Sequence, residues 1–214
     1  MTRVATVLAG LILGAPALAA GAQDMLEPAP GVTLSWTSHY DDYSSGFREV
    51  IVAAGDDWAI YQSLFDDDPA HEVGADDYYI VFSGIDYRAC VEAELPDEAE
   101  REALAALALG ERQVLEDSSI QGNPAVRAGE EVDFFLMGET VTAREIVIDV
   151  AEDDEDNTDQ TITVLGAHPY TAKIDWGDGT IDRLMLIAEA ETVPDMPPAE
   201  LLGDCAAFLN KTEQ

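Results

Sequence analysis

The sequence predicts a mainly β protein of the α+β class, either a curved antiparallel meander or a partly open barrel or sandwich, with one internal helix and a C-terminal helix. Three observations indicate this class. Turn-forming residues recur about every eight to twelve residues, the segments between them alternate apolar with polar side chains, and one internal segment has the composition of a helix. Short strands at such spacing are typical of sandwiches and barrels.

The 214 residues fall into four predicted parts. Residues 1–22 have an early cation, an apolar run and small residues with Ala-x-Ala spacing, which together are typical of a cleaved signal peptide. The alternative, a membrane anchor, is disfavoured because the apolar run is too short to span a bilayer. Residues 23–30 form a leader, residues 31–192 a single β-rich domain, and residues 193–214 a Pro-rich linker with a C-terminal helix. We therefore expect a periplasmic or secreted protein without a membrane span in its mature form.

Three predicted strands follow the leader. GVTLSWTSHY (31–40) alternates apolar with polar residues, FREVIVAA (47–54) follows a turn in DDYSSG, and WAIYQSLF (58–65) follows a second turn. We expect these strands to form a meander, and YYIVFSGI (78–85) to be the next strand after a polar connection.

The internal helix is predicted over residues 96–109, because this stretch is rich in Ala, Leu and Glu, has acids in its first turn and precedes Gly110. EEVDFFLM and TVTAREIVIDV then form a predicted hairpin around Gly138-Glu139. Further strands are expected in TITVLG, PYTAKID and TIDRLMLIA. Residues 199–210 are predicted to form a short helix, broken or kinked near Gly203.

The chain has two cysteines, Cys90 and Cys205. In an oxidising compartment an even pair predicts one disulfide, which ties the C-terminal helix to the middle of the chain. A reactive thiol pair or a metal site is disfavoured, because neither residue lies in a C-x-x-C pattern or near a histidine.

The formal net charge is −34. Such a charge excludes a basic nucleic-acid footprint and disfavours attraction to anionic lipid. It is typical of a hydrated acidic surface, and it leaves a cationic partner possible.

The acids suggest calcium, but their spacing does not fit a known loop. Asp178-Gly179 at the central positions of a Ca²⁺ loop would require Ile174 and Trp176 as ligands. The stretch AEDDEDNTDQ offers weak metal candidates, which are Asp154, Asp156 and Asp159, but it lacks the required glycine. A solvated loop is the alternative interpretation, and no cofactor is expected.

The stretch KIDWGDGTIDRLMLI is therefore predicted to be a hairpin. With Trp176–Gly179 as its loop, Ile174 faces Ile181 and Lys173 faces Asp182, an apolar pair and an ion pair. In this interpretation the acidic residues have a structural role in a β-turn.

No catalytic motif supports an enzyme. FSGID lacks the G-x-S-x-G pattern, the glycines do not have phosphate-loop spacing, and the histidines form no helical zinc pair.

Aromatic residues give a candidate ligand pocket. Six of them lie on or beside predicted strands, namely Trp36, Trp58, Tyr61, Phe82, Phe134 and Trp176. One interpretation is that they fill a core between a curved sheet and the internal helix. The functional interpretation is a concave pocket for a lipid-like or other apolar ligand.

The succession YYIVFSGIDYRAC, LALGERQVL, VRAGEEVDFF and GAHPYTAKIDWGDGTIDRLMLI resembles a group of uncharacterised secreted or periplasmic bacterial β-meander proteins. The resemblance covers about residues 78–188 and implies a fold without a known activity.

Three hypotheses follow. The leading one is a non-catalytic envelope module that binds an apolar small molecule or an envelope protein. The second is a Ca²⁺-dependent surface or adhesion protein that uses the acidic loops. The third is a hydrolase whose site forms only in three dimensions.

Overall fold

The computed structural model describes residues 25–65, 68, 70–91, 94–111, 114–115, 125–149, 159–166 and 168–209. Strands lie at β1 Val32–Tyr40, β2 Tyr43–Ala54, β3 Trp58–Leu64, β4 Tyr78–Phe82, β5 Asp86–Ala89, β6 Val114–Leu115, β7 Ala125–Leu136, β8 Glu139–Asp149, β9 Gln160–Leu165, β10 Thr171–Asp175 and β11 Ile181–Glu189. Helices lie at α1 Glu98–Ala108, α2 Ala199–Leu202 and α3 Ala206–Leu209, with 3₁₀ turns at Ala75–Asp77 and Gly203–Cys205.

The described strands form one antiparallel sheet of eleven strands, in the order β5-β4-β3-β2-β1-β11-β10-β9-β8-β7-β6. The sheet curls into a half-barrel. Strands β1–β5, here called the N-terminal half, form one meander, and strands β6–β11, the C-terminal half, form another. The chain crosses from one edge to the other between β5 and β6, and β1 pairs with β11 where the halves meet. The predicted fold class, a curved antiparallel meander with an internal and a C-terminal helix, is confirmed.

The first three strands agree with their predictions, except at the start of β2. Tyr40 lies opposite Tyr43, so the turn is confined to Asp41-Asp42 and the strand begins before Phe47. The polar residues of DDYSSG are therefore mostly strand residues, since β1 extends far enough to pair with them.

The segment predicted as one strand over 78–85 contains a turn. β4 ends at Phe82, and Ser83 and Gly84 have φ values of 50° and 70°. Ile85 N donates to Phe82 O at 2.9 Å, so the two central residues form a type I′ turn into β5. A second type I′ turn lies at Met137-Gly138, with φ values of 53° and 87°, one residue before the predicted Gly138-Glu139 turn.

The internal helix lies within its predicted range. Its N-cap is Asp97, whose carboxylate accepts a hydrogen bond from Glu100 N at 2.9 Å. Leu104 and Leu107 are its buried residues. The C-terminal helix is interrupted at Gly203, as expected from that glycine.

Buried apolar side chains form two clusters. The helix-side cluster joins α1 and the C-terminal helices to the sheet, and it includes Ile60, Ile80, Phe82, Leu104, Leu107, Ile146, Ile162, Leu202 and Phe208. The Trp36 cluster includes Leu34, Trp36, Ile51, Tyr61, Phe134, Leu165, Tyr170 and Leu184. α1 contacts β4 in one half and β6, β7 and β8 in the other, so it bridges the two halves.

A disulfide joins Cys90 to Cys205, whose Cα atoms are 5.2 Å apart. Beyond it, the Phe208 ring packs edge-on against Trp58 and Phe82, with centroids 5.6 and 5.4 Å away. The guanidinium of Arg101 lies 5.5 Å from the same ring. The C-terminal helices are therefore docked on the N-terminal half by a covalent bond and an aromatic side chain. Within the residues described, no helix is long and apolar enough to cross a membrane.

Candidate functional site

An open pocket of about 310 Å³ lies between the N-terminal half and the β10–β11 hairpin. Its lining combines aromatic rings with carboxylates, and consists of Trp36, Phe47, Glu49, Asp76, Tyr78, Tyr79, Tyr87, Arg88, Ala89, Ile174, Trp176 and Asp182. This lining makes the pocket the candidate site, because ligand sites are concave, largely apolar and carry a few polar groups.

A stacked pair of rings forms one wall. Trp36 on β1 lies directly opposite Phe47 on β2, and their rings stack with centroids 5.9 Å apart and planes 3° from parallel. Trp36 is buried, whereas Phe47 is 37% exposed. The pair therefore presents apolar ring surface to solvent at the pocket.

Two stacked tyrosines, Tyr79 and Tyr87, form a second wall, and Tyr61 stacks on Tyr79 outside the pocket lining. Tyr61 lies opposite Tyr79 across β3 and β4, and their rings stack at 5.4 Å. Tyr87 on β5 continues the stack, 5.7 Å from Tyr79. Burial raises the pKa of each of these hydroxyls above the usual value, so all three are neutral at physiological pH.

Glu49 is the buried carboxylate of the pocket. It lies on β2 on the same side as Phe47, and its side chain accepts a hydrogen bond from Trp36 Nε1 at 2.9 Å. Burial raises the pKa of Glu49 to about 7, although the nearby Tyr79 hydroxyl and Trp36 indole oppose the rise. The charge of Asp182 raises it further. A carboxyl group thus titrates close to neutral pH inside an aromatic pocket.

Asp182 is the second pocket carboxylate with defined partners. It accepts hydrogen bonds from Ser38 Oγ and, at 2.8 Å, from Trp176 Nε1. Each of the two acids, Glu49 and Asp182, is therefore bonded to the indole of a tryptophan that also lines the pocket.

The predicted register of this hairpin is wrong by one residue. Lys173 lies opposite Arg183 and Ile174 opposite Asp182, rather than opposite Asp182 and Ile181. Trp176 N donates to Thr180 O at 3.1 Å, which closes a loop over residues 177–179, one residue shorter than the expected loop over residues 176–179. In this register Asp182 lies opposite Ile174 instead of Lys173, and both Ile174 and Asp182 line the pocket.

The other two acids of this hairpin have structural partners. Asp175 accepts a hydrogen bond from Gly177 N at 3.3 Å and lies 3.2 Å from Lys173 Nζ. Asp178 accepts one from Thr180 N at 2.7 Å, which holds the pKa of its carboxyl below the usual value. Both side chains stabilise the turn.

No cluster of three or more metal-ligating side chains occurs among the described residues. Of the weak metal candidates, Asp154 and Asp156 lie outside the described residues. Asp159 is exposed just before β9.

The structure brings together two of the six predicted pocket residues, Trp36 and Trp176. Trp58 and Tyr61 line a separate pocket of about 230 Å³. Phe82 packs in the helix-side cluster, and Phe134 lies under the guanidinium of Arg183, 4.3 Å from it.

Sequence reasoning missed five of the pocket residues discussed above: Phe47, Glu49, Tyr79, Tyr87 and Asp182. Strand alternation gave a usable signal for two of them, because Phe47 and Glu49 are two residues apart and share one face of β2. Tyr87 and Asp182 depended on a strand and a register that the sequence did not reveal.

The smaller pocket contains Ser83 and His168. The left-handed backbone of Ser83 is explained by its type I′ turn, and Ser83 N donates to Asp57 O at 2.8 Å. Within the described residues, no hydrogen bond joins Ser83 to His168. The hydrolase hypothesis therefore gains no support from this geometry.

These features define an α+β protein with a curled half-barrel sheet and a pocket lined by aromatic residues and carboxylates. No family model and no curated protein matches the chain. A solved structure, the hypothetical lipoprotein YmcC from Escherichia coli (K12), is similar to it with a TM-score of 0.41 and 11% identity, over 78% of this chain and 90% of that chain. This weak likeness gives no information about a ligand, a partner or a reaction.

Proposed function

We propose that this protein is a non-catalytic binding module that acts outside the cytoplasm and holds an apolar small molecule in the pocket between Trp36, Phe47 and Trp176. The observation that carries the proposal is an open pocket of about 310 Å³ with six aromatic residues in its lining. Exposed ring surface is unfavourable in water, and a bound apolar group removes it from solvent.

The disulfide supports the proposed location, because disulfides persist in oxidising compartments and are rare in the cytosol. We accordingly propose that residues 1–22 are a signal peptide that is cleaved on export to the periplasm or medium. The intact mass of the exported protein tests this proposal, and a mass that retains the first 22 residues in full contradicts it.

A neutral fluorescent probe tests the binding function. We expect N-phenyl-1-naphthylamine to bind the exported protein saturably with one site per chain and to change tryptophan emission, since Trp36 and Trp176 both line the pocket. Phe47→Leu is expected to weaken binding at least about fivefold, the equivalent of roughly 1 kcal/mol of lost ring contact.

Phe135→Leu is the matched control. Phe135 is also an exposed strand phenylalanine, 59% exposed on β7, and it does not line the pocket. Equal affinities of the two variants, or no saturable binding by the wild-type protein, contradict the proposed function. A lipid retained by the wild-type protein in native mass spectrometry supports it.

A further inference from the structure

We propose that the pocket selects an organic cation, an amphiphile with a primary or quaternary ammonium head that lies between Glu49 and Asp182 and an alkyl chain on the surrounding rings. This inference rests on the proposed function, that the pocket binds an apolar ligand, and it specifies the chemical class of that ligand.

The ring composition of the pocket suits an ammonium group. Trp36, Phe47, Tyr79, Tyr87 and Trp176 all line it. Aromatic faces attract cations electrostatically, and groups of such rings recognise quaternary ammonium ligands. The stacking of Trp36 on Phe47 and of Tyr79 on Tyr87 holds these rings in fixed positions before a ligand binds.

The charge of the pocket favours a cation over an anion. Glu49 and Asp182 are bonded to indole and hydroxyl groups, and no ion pair joins either of them to a Lys, Arg or His among the described residues. The pocket cation Arg88 donates to both carboxylate oxygens of Asp86, at 2.8 and 2.9 Å, so its charge is already matched. A buried carboxylate without a cationic partner is unfavourable, and a ligand cation relieves this cost.

The Tyr79 hydroxyl points to the same conclusion. It is buried beside Glu49 and lowers the pKa of that carboxyl as a hydrogen-bond donor does, while no described group donates a hydrogen bond to its oxygen. A buried hydroxyl oxygen that accepts no hydrogen bond is unfavourable. The Tyr79 oxygen can accept a hydrogen bond from a primary ammonium head held at Glu49, whereas a quaternary head has no N–H and contacts this oxygen only electrostatically.

Three ligands with the same chain separate charge from hydrophobicity: octyltrimethylammonium, 1-octanol and octanoate. Their dissociation constants are measured below micelle concentration at pH 8, in salt high enough to screen attraction to the acidic surface. We expect the ammonium ligand to bind at least about tenfold more tightly than the alcohol, equivalent to about 1.4 kcal/mol, and octanoate to bind most weakly.

Glu49→Gln should reduce the preference for ammonium over alcohol to less than about threefold and leave the affinity for octanol nearly unchanged, because only the charge is removed. Glu102→Gln removes one charge from an exposed position on α1 and should leave the preference intact. If Glu49→Gln does not fold, as judged by circular dichroism, Asp182→Asn gives the same readout.

The outcomes distinguish the two proposals. Octanol and octyltrimethylammonium binding equally well to the wild-type protein overturns the cation inference and leaves the binding function standing. A preference that persists in both Glu49→Gln and Asp182→Asn also overturns the inference. Failure of all three ligands and of the neutral probe to bind overturns the proposed function itself.

Discussion

The two halves of the sheet are built from different side chains. In the described strands, the N-terminal half carries ten aromatic residues and the C-terminal half carries two. Across the C-terminal half, Ile146, Ile162 and Ile174 lie opposite one another in register, whereas Tyr61 and Tyr79 occupy such positions in the N-terminal half. The C-terminal half packs through aliphatic side chains, and the N-terminal half forms most of the candidate pocket.

Buried acids follow the same division. Among the described residues, the buried carboxylates are Glu49, Asp77 and Asp86, all between β2 and β5. Asp86 pairs with Arg88, and Asp77 accepts hydrogen bonds from Gly74 N and bonds His71. Glu49 differs from both, because its partners are uncharged. The comparison therefore identifies Glu49 as the buried acid that the fold leaves without a cation.

Loss of the disulfide should lower the free energy of unfolding more than substitutions at Glu49, Asp77 or Met137 change it. The destabilisation should fall mainly on the N-terminal half. Cys90 and Cys205 are 115 residues apart, and a cross-link closing a loop of this length stabilises the folded state by about 4 to 5 kcal/mol in the chain-entropy account. We expect the Cys90→Ser/Cys205→Ser variant to lose about this much free energy of unfolding in urea.

Hydrogen exchange of the same variant tests the comparison directly. The disulfide follows β5 and holds Phe208 against Trp58 and Phe82, so protection should fall first in β3–β5. Strands β8 and β9 should keep theirs. A uniform loss of protection across both halves would contradict the expectation that the disulfide stabilises mainly the N-terminal half.

Substitution of Glu49 should have the next largest effect on the free energy of unfolding, and this effect should depend on pH. A pKa raised from 4.5 to about 7 means that the folded state binds the proton more tightly than the unfolded state. The associated stability is fully present below about pH 4.5 and is lost as the pH rises towards and through 7, by roughly 3 kcal/mol in total. Glu49→Gln should therefore be more stable than the wild type at pH 8 by up to about this amount, and nearly equal to it at pH 4.5.

Asp77 is a control for Glu49, because its contribution to stability should change with pH in the opposite direction. Burial acts to raise its pKa, but the hydrogen bond from Gly74 N and the contact with His71 lower it on balance. Its stabilisation is present above the unfolded pKa and lost as the pH falls, so Asp77→Asn should be less stable than the wild type at pH 8. Parallel pH profiles for the two variants would show that the environments of the two acids do not differ as described.

The fold was largely predictable because strand alternation and helix composition are local signals. Glu98–Ala108 followed from its Ala-rich sequence, and β1 from its alternation. β5 was missed because Ser83 occupies a left-handed turn position where Asn or Gly is the usual indicator. The register of β10 and β11 was missed by one residue, since loop length depends on a backbone hydrogen bond that composition does not reveal.

The pocket was only partly predictable, for a related reason. Trp36 and Trp176 stand out as large rings near strand ends. Glu49 lies in FREVIVAA and has the composition of an ordinary solvent-facing position. Its burial depends on β1 pairing with both β2 and β11, which brings Trp36 against it. A contact between residues distant in sequence is not encoded in the local pattern.

The smallest expected effect lies in the C-terminal half, at Met137. This residue is 49% exposed and has a φ of 53° in a type I′ turn, a conformation that favours Asn over Met. Met137→Asn should raise the free energy of unfolding by about 0.5 to 1 kcal/mol, measured by urea denaturation. Met137→Ala, which removes the side chain without favouring this conformation, should give no gain.

The equivalent turn of the N-terminal half should not respond in the same way, because Ser83 is buried and the turn packs against Pro169. A larger side chain at Ser83 must displace core atoms, and this cost outweighs the conformational gain. Equal stabilisation by Met137→Asn and Ser83→Asn would mean that turn conformation alone, and not the packing of each half, decides the tolerance of the two hairpins.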